Sequence, residues 1–283
     1  MERQNLMTHE RIAHSGFTLP AIGFGTWQLW GAEGSATVAR AIHNGYTLID
    51  SAFNYENEGA IGHGVRTSGV PREQIIVTSK LPGRHHAPHR AKVAIEESVY
   101  RTGLDHIDLY LIHWPNPAQG LYVDAWRALI AAKQRGLVRA IGVSNFLPEH
   151  LERLRVETGV VPEVNQIEVH PYFPQQEAID YHAQHGIITE AWSPLGRGNE
   201  MLSDPVIGRI ADAHEVGPGQ VVLAWAVARG VIPIPKAASQ ARQLENLAAA
   251  SLVLDPTEIA AITALGCPDG RMADQDPAHY EEF

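Results

Sequence analysis

The sequence predicts an α/β fold: a (β/α)8 TIM barrel with an N-terminal β-hairpin cap and a C-terminal helix and tail. Three observations carry this reading. Eight short apolar runs are each followed by a stretch with helical spacing. Runs such as Leu109-Tyr110-Leu111-Ile112 lack period-two alternation, which suits parallel strands covered on both faces by crossover helices. No Pro/Gly/Ser-rich seam divides the chain, so eight units in about 230 residues fit one closed barrel better than two open sheets. Residues 1–283 are therefore expected to form a single domain.

The elements follow in order. Arg11 to Pro20, with Ser15-Gly16 between two short extended stretches, predicts a hairpin capping the bottom of the barrel. Strand-like Ile22 to Thr26 precedes a helix over Thr37 to Asn44; Tyr46 to Asp50 precedes Gly59 to Thr67; Ile75 to Lys80 precedes Arg90 to Arg101; Ile107 to Ile112 precedes Val123 to Gln134. Ala140 to Ser144 then leads to Pro148 to Glu157, and Val164 to Ile167 to Gln175 to His185. Ile187 to Trp192 leads to one longer helical region within Asp204 to Arg229, and Val231 to Ile234 to Arg242 to Ala250. Gly45, Gly136, Gly186 and Gly230 stand where helices need a left-handed C-terminal residue. A last helix is expected over Thr257 to Leu265, and polar Gly266 to Phe283 as a tail over one end of the barrel.

Composition narrows the function. The chain is 45% hydrophobic and 19% charged, which excludes a disordered or collagen-like protein. Lys plus Arg is 22 against 32 for Asp plus Glu, a net charge of −10, the wrong sign for coating nucleic acid, so any phosphate site must be local. The single Cys267 excludes intramolecular disulfides and Cys-rich zinc sites and is expected of a reducing compartment. Met1 to Glu10 is polar and no apolar run reaches about 18 residues, so neither a signal peptide nor a membrane span is indicated and a cytoplasmic location is expected.

In such a barrel, side chains at the carboxyl ends of the strands converge on one mouth. Asp50 ends the second run, with Tyr55 five residues on; Lys80 ends the third; His113 ends the fourth. Ser144 and Asn145 end the fifth, Gln166 lies in the sixth, Trp192 ends the seventh and Lys236 follows the eighth. Taken singly, Asp50 and Lys80 could be an ordinary ion pair, Tyr55 a surface phenol, and Trp114 and Trp192 core residues. Together they offer more. An ammonium beside a phenol favours phenolate and is expected to lower the tyrosine pKa from about 10, while a carboxylate keeps the lysine charged and oriented. A histidine beside them can bind or orient a substrate oxygen, and the set suits protonation of an oxygen that becomes negative, as in carbonyl reduction by hydride.

The segments Asp50-Ser51-Ala52-Phe53-Asn54-Tyr55-Glu56-Asn57-Glu58, Thr78-Ser79-Lys80-Leu81, His113-Trp114-Pro115, Gly142-Val143-Ser144-Asn145-Phe146 and Ile234-Pro235-Lys236 closely resemble the aldo-keto reductase superfamily, and most of all its bacterial branch of 2,5-diketo-gluconate reductases. The resemblance implies reduction of aldehydes and ketones, dicarbonyls included, with NADPH, with NADH as a weaker alternative and without metal. It implies that Tyr55 is the proton donor, Lys80 lowers its pKa, Asp50 pairs with Lys80 and His113 orients the carbonyl. Ser144, Asn145 and Gln166 match positions that hold the carboxamide, and Trp192 the platform for the nicotinamide ring. Gly25 and Thr26 fall at the cofactor end of the first strand, and Ser193, Leu195 and Gly196 beside the pyrophosphate. Lys236, Ser239, Arg242, Glu245 and Asn246 match the adenosine end. Trp27, Trp30, Phe53 and Trp114 are expected to wall the substrate pocket. Two departures stand out: Ala237 replaces a frequent serine, which is expected to weaken the NADPH preference, and Glu56 stands where glycine often follows the tyrosine. A monomer is implied.

Other patterns carry less. His85, His86 and His89 lie in a Pro-interrupted segment without carboxylate or Cys, which reads as a solvated loop rather than a metal site. His9 and His14 miss the i, i+4 spacing of zinc proteases. His182 and His185 read as solvated helix positions and Cys267 as incidental. Gly23-Phe24-Gly25 lacks the third glycine of the Rossmann fingerprint, which favours a cofactor on the barrel mouth. A non-catalytic NADP(H)-binding regulator is the alternative function, separable by the absence of turnover. A metal-dependent hydrolase would need a His/Asp ligand set at the strand ends that the sequence lacks.

Overall fold

The computed structural model describes residues 10–198, 200–273 and 275–283; His9 of the His9/His14 pair lies outside them. Two short antiparallel strands, β1 (Arg11–Ile12) and β2 (Thr18–Leu19), form the hairpin, with Gly16 at φ 89° taking the left-handed turn. Eight parallel strands follow: β3 (Phe24–Gly25), β4 (Leu48–Asp50), β5 (Ile76–Leu81), β6 (Ile107–Ile112), β7 (Val138–Ser144), β8 (Val164–Glu168), β9 (Ile188–Trp192) and β10 (Ile232–Ile234). Each pairs with its sequence neighbour. The seam between β10 and β3 closes through the Gly23 and Gly25 N–H groups, which donate to the carbonyls of Pro233 and Pro235, each at 3.0 Å. A Cβ on Gly23 would lie 2.5 Å from Ile234 Cδ1, so a larger residue there would push that side chain aside.

The barrel interior holds Leu48, Leu109, Leu111, Ala140, Val164, Ile188, Ile232 and Ile234, plugged from the hairpin by Ala13 and Leu19. The outer faces of the strands pack on the helices, as when Tyr110 and Ile112 meet Trp126 and Leu129. Burial on both faces explains why the runs do not alternate. The crossover helices are α1 (Gly31–Asn44), α2 (Glu58–Thr67), α3 (Pro88–Thr102), α4 (Tyr122–Gln134), α5 (Pro148–Thr158), α6 (Gln176–Gln184), α7 (Pro205–Ala213), α8 (Pro218–Ala228) and α9 (Gln240–Ala248), and α10 (Pro256–Thr263) ends the series. The long helical region expected within 204–229 is two helices. Glu215 turns left-handed at φ 55° and Gly217-Pro218 begins α8, because proline suits a first helical turn and breaks an interior one.

Two histidine expectations fail. His182 is fully buried rather than solvated, bonded to Asn165 Nδ2 at 2.9 Å and Thr189 Oγ1 at 2.9 Å, and burial pushes its pKa down to about 4. His86 is buried too, since the turn after β5 folds inward under the C-terminal tail, and burial holds it near 4. The tail itself lies across the mouth. Cys267 N–H donates to Tyr172 O at 3.1 Å, and a Cβ on Gly270 would lie 1.8 Å from that same carbonyl, so only glycine lets the tail run this close. Among the described residues no helix is long and apolar enough to cross a membrane.

Candidate active site

Strand register brings the polar residues together. Gly25, Asp50 and Thr78 share one row across β3, β4 and β5, and Ser144, Gln166 and Glu190 another across β7, β8 and β9. After β4 the chain makes a short 3-10 turn over Phe53–Tyr55, and Glu56 at φ 53° sends it into α2. That left-handed conformation is the one glycine adopts freely, which explains the residue type usual at this position. The turn is pinned by Asn57, whose amide donates to Thr26 O at 2.8 Å and Leu29 O at 3.1 Å, and by Trp30 Nε1, which donates to Tyr55 O at 2.8 Å.

At the floor of the site, the wholly buried Lys80 ammonium donates to Asp50 Oδ1 (2.7 Å), Asp50 Oδ2 (2.8 Å) and Ser51 O (2.8 Å). Burial opposes its charge, but Asp50, Tyr55 and Glu190 outweigh that and raise the lysine pKa. Lys80 Nζ lies 5.2 Å from the centre of the Tyr55 ring. The phenol does not end up below its usual value. Burial, the largest influence, pushes Tyr55 up, and Lys80 and Arg197 pull it back without cancelling the rise. Lys80 acts on the phenol in the expected direction, but burial outweighs it and favours the protonated form, the one a proton donor needs.

The His113 ring stands edge-on to Tyr55, with ring centres 6.1 Å apart. Its Nδ1 lies 2.6 Å from Glu282 Oε1 of the tail, a close contact without the alignment of a hydrogen bond. Behind Asp50, Gln166 Nε2 donates to both Asp50 Oδ1 (2.9 Å) and Glu190 Oε2 (2.8 Å), and burial, then Asp50, raises the Glu190 pKa to about 7. On the facing wall, Ser144 Oγ donates to Gln166 O at 2.7 Å. Asn145, left-handed at φ 63°, accepts from Trp192 Nε1 at 2.7 Å and donates to His113 O at 3.0 Å.

Asp50, Tyr55, His113, Ser144, Asn145, Gln166 and Trp192 line a cavity of about 450 Å³, with Gly25, Thr26, Trp27, Trp114, Ser193, Leu195 and Lys236, while Lys80 and Glu190 lie behind its wall. Not every expected residue reaches it. Phe53 instead lies under the Arg101 guanidinium, 4.0 Å from its ring centre, in a separate cleft with His85 and His89. The 3-10 turn that aims Tyr55 inward aims Phe53 toward α3. Trp30 lies outside the lining, half exposed, with its indole N–H spent on the Tyr55 carbonyl. Gly196 is buried just behind the lining. Ser239 caps α9, accepting from the Arg242 N–H at 3.4 Å; Arg242 and Glu245 are exposed on that helix and Asn246 is buried against Tyr46. They sit beyond Lys236 rather than in the cavity.

Several lining residues escaped the sequence reading. Arg197 reaches over the mouth, 5.0 Å from the Trp27 ring and 5.4 Å from the Trp192 ring, and Gln275, Tyr280 and Glu282 arrive from the tail. Nothing local marks them. Glu190 did leave a sign, as an acidic residue inside the apolar strand Ile188–Trp192. Among the described residues, no group of three or more His, Cys, Asp or Glu side chains is arranged to hold a metal.

An eight-stranded barrel whose mouth gathers an Asp, a Tyr, a Lys and a His defines a class, and the comparisons agree. The Aldo/keto reductase family model matches residues 21–266, and the chain belongs to that family. It is 49% identical to 2,5-diketo-D-gluconic acid reductase B of Corynebacterium sp. over 92% of this chain and 94% of the relative. Methylglyoxal reductase DkgA of Yersinia pestis is 40% identical over 93% and 94%. Among solved structures, a Gox0644 mutant in complex with NADPH superposes with a TM-score of 0.91 at 42% identity, covering 96% of this chain and 98% of that one.

Proposed function

We propose that this chain is an NADPH-dependent reductase of aldehydes and ketones, dicarbonyls included, with Tyr55 as the proton donor. The observation that carries the reading is the buried Asp50–Lys80 pair set against Tyr55 at the floor of an aromatic-walled cavity. The relatives named for diketogluconate and methylglyoxal, and the neighbour solved with NADPH, support the same chemistry.

The residues fit such a cofactor. Trp192 lines the cavity together with Asn145 and Gln166, and exposed Lys236 lines it three residues before the Ser239 cap of α9. A lysine beside a helix N-terminus suits a phosphate group. We assign Ser144, Asn145 and Gln166 to the carboxamide and Ser193, Leu195 and Gly196 to the pyrophosphate. Lys236, Ser239, Arg242, Glu245 and Asn246 take the adenosine end. Buried Ala237 offers that phosphate no hydroxyl.

When bound, the reduced nicotinamide supplies the hydride for the carbonyl carbon. Tyr55 gives its proton to the carbonyl oxygen as negative charge develops there. Lys80 steadies the phenolate left behind, and Asp50 keeps Lys80 charged and in place. His113 holds the carbonyl oxygen toward Tyr55, while Trp27 and Trp114 exclude water beside it. The site gives no support to a non-catalytic regulator. We take the protein as one cytoplasmic domain acting on small molecules, on its composition and element count, and as a monomer on its family resemblance.

The test is direct: titrate the purified protein with NADPH and NADH by tryptophan fluorescence, then follow cofactor oxidation with methylglyoxal or a nitrobenzaldehyde. Quenching, stronger binding of NADPH and turnover are expected. No binding of either cofactor would refute the reading, and binding without turnover across a broad carbonyl panel would favour the regulator.

A further inference from the structure

The tail delivers one carboxylate to the site with unusual care. Asn116, fully buried and left-handed at φ 47°, clamps the backbone of Glu282: its Nδ2 donates to Glu282 O at 2.8 Å and its Oδ1 accepts from Glu282 N–H at 3.2 Å. Room for that clamp depends on Gly83, where a Cβ would lie 2.3 Å from Asn116 Nδ2. The Glu282 side chain then accepts from Asn54 Nδ2 at 2.7 Å on Oε1 and from the Gly83 N–H at 2.9 Å on Oε2. Its remaining close contact is His113 Nδ1 at 2.6 Å. Burial works against the carboxylate, but His113, the Gly83 N–H and Asn54 outweigh it and hold its pKa below the usual range.

We propose that Glu282 is a positioning residue for His113: its carboxylate, 2.6 Å from Nδ1, holds that edge of the ring and leaves Nε2 for the cavity. The inference rests on the reading of His113 as the group that binds the carbonyl oxygen. An imidazole with a proton on Nδ1 alone offers only a lone pair at Nε2, which cannot donate to a carbonyl; the imidazolium donates from both nitrogens. That cation is the form whose Nε2–H can make a charge-assisted hydrogen bond to the substrate oxygen. The other groups facing the pair are Tyr55, with Lys80 and Asp50 behind it, Arg84 bonded to Asn54, and buried His86, which burial keeps neutral. Glu281 points elsewhere, accepting from the Ala118 N–H at 2.7 Å.

The experiment compares wild type with Glu282→Gln, Glu281→Gln and His113→Asn, using methylglyoxal and NADPH. Glu282→Gln keeps an acceptor for the Gly83 N–H but removes the charge. It is expected to lose roughly ten- to a hundredfold in kcat/KM, with NADPH binding unchanged by fluorescence and the alkaline fall of kcat/KM moved to lower pH. Glu281→Gln is expected to match wild type. Nitrogen-15 NMR of histidine-labelled wild type, with the His113 signal identified from His113→Asn, is expected to show Nδ1 protonated throughout the active pH range. Wild-type activity and pH profile in Glu282→Gln, or an unprotonated Nδ1, would overturn the proposal. Equal losses in both tail variants without a pH shift would also overturn it, since they would reduce Glu282 to an anchor. If His113→Asn retains full activity, it is the reading of His113 itself that fails.

Discussion

Glu190 is a carboxyl on the inside of a parallel barrel, fully enclosed and sharing Gln166 with Asp50. Burial and then Asp50 raise its pKa from 4.5 to about 7. The folded state therefore binds the Glu190 proton more tightly than the unfolded chain does, so stability is fully present below about pH 4.5 and falls as pH rises toward 7. A shift of this size corresponds to about 3 kcal/mol. Glu190→Gln keeps an acceptor for Gln166 without the charge. It is expected to raise the melting temperature at pH 8 and change it little at pH 5; an equal change at both would exclude titration of Glu190 as the cause. The residue scale is also where the sequence was hardest to read. Phe53 and Tyr55 are two apart, yet one faces α3 and the other the cavity, because a 3-10 turn separates successive side chains by about a third of a turn. His182 reads as polar on a helix, and only its partners Asn165 and Thr189, from two strands, make it a core residue.

The strands and most helices were legible because each is doubly constrained. Leu109-Tyr110-Leu111-Ile112 is apolar without alternation since one set of side chains fills the barrel and the other meets the helices. Glycines at φ 118° (Gly45), 76° (Gly136), 67° (Gly186) and 82° (Gly230) mark helix ends that other residues would strain. The division of α7 from α8 was missed because the apolar spacing runs on across it, although Gly217-Pro218 marks it. The hairpin is an element whose role follows from packing: Leu19 is wholly buried beneath the interior leucines. Leu19→Ala is expected to lower unfolding stability by about 2–5 kcal/mol, read from the denaturant midpoint, with NADPH binding intact because the change lies at the opposite end from the mouth. A loss within about 0.5 kcal/mol, no more than a surface substitution costs, would show that the hairpin is not a plug.

Over the whole molecule, the net charge of −10 coexists with two cations that line the mouth, Lys236 and Arg197. The four groups proposed for catalysis come from three successive strand ends and were readable at that spacing, since a parallel barrel brings all strand ends to one mouth. The tail was readable only as polar; that it carries Tyr280 against Trp114, ring centres 4.5 Å apart, and Glu282 against His113 depends on contacts across more than 160 residues. The central claim is that Tyr55 supplies the proton. Tyr55→Phe removes that proton and leaves the Asp50–Lys80 pair and the cavity walls in place. Measured by tryptophan fluorescence and by cofactor oxidation with methylglyoxal, the variant is expected to bind NADPH as wild type does and to lose at least about a hundredfold in kcat. Turnover near the wild-type rate, with NADPH bound, would contradict the account.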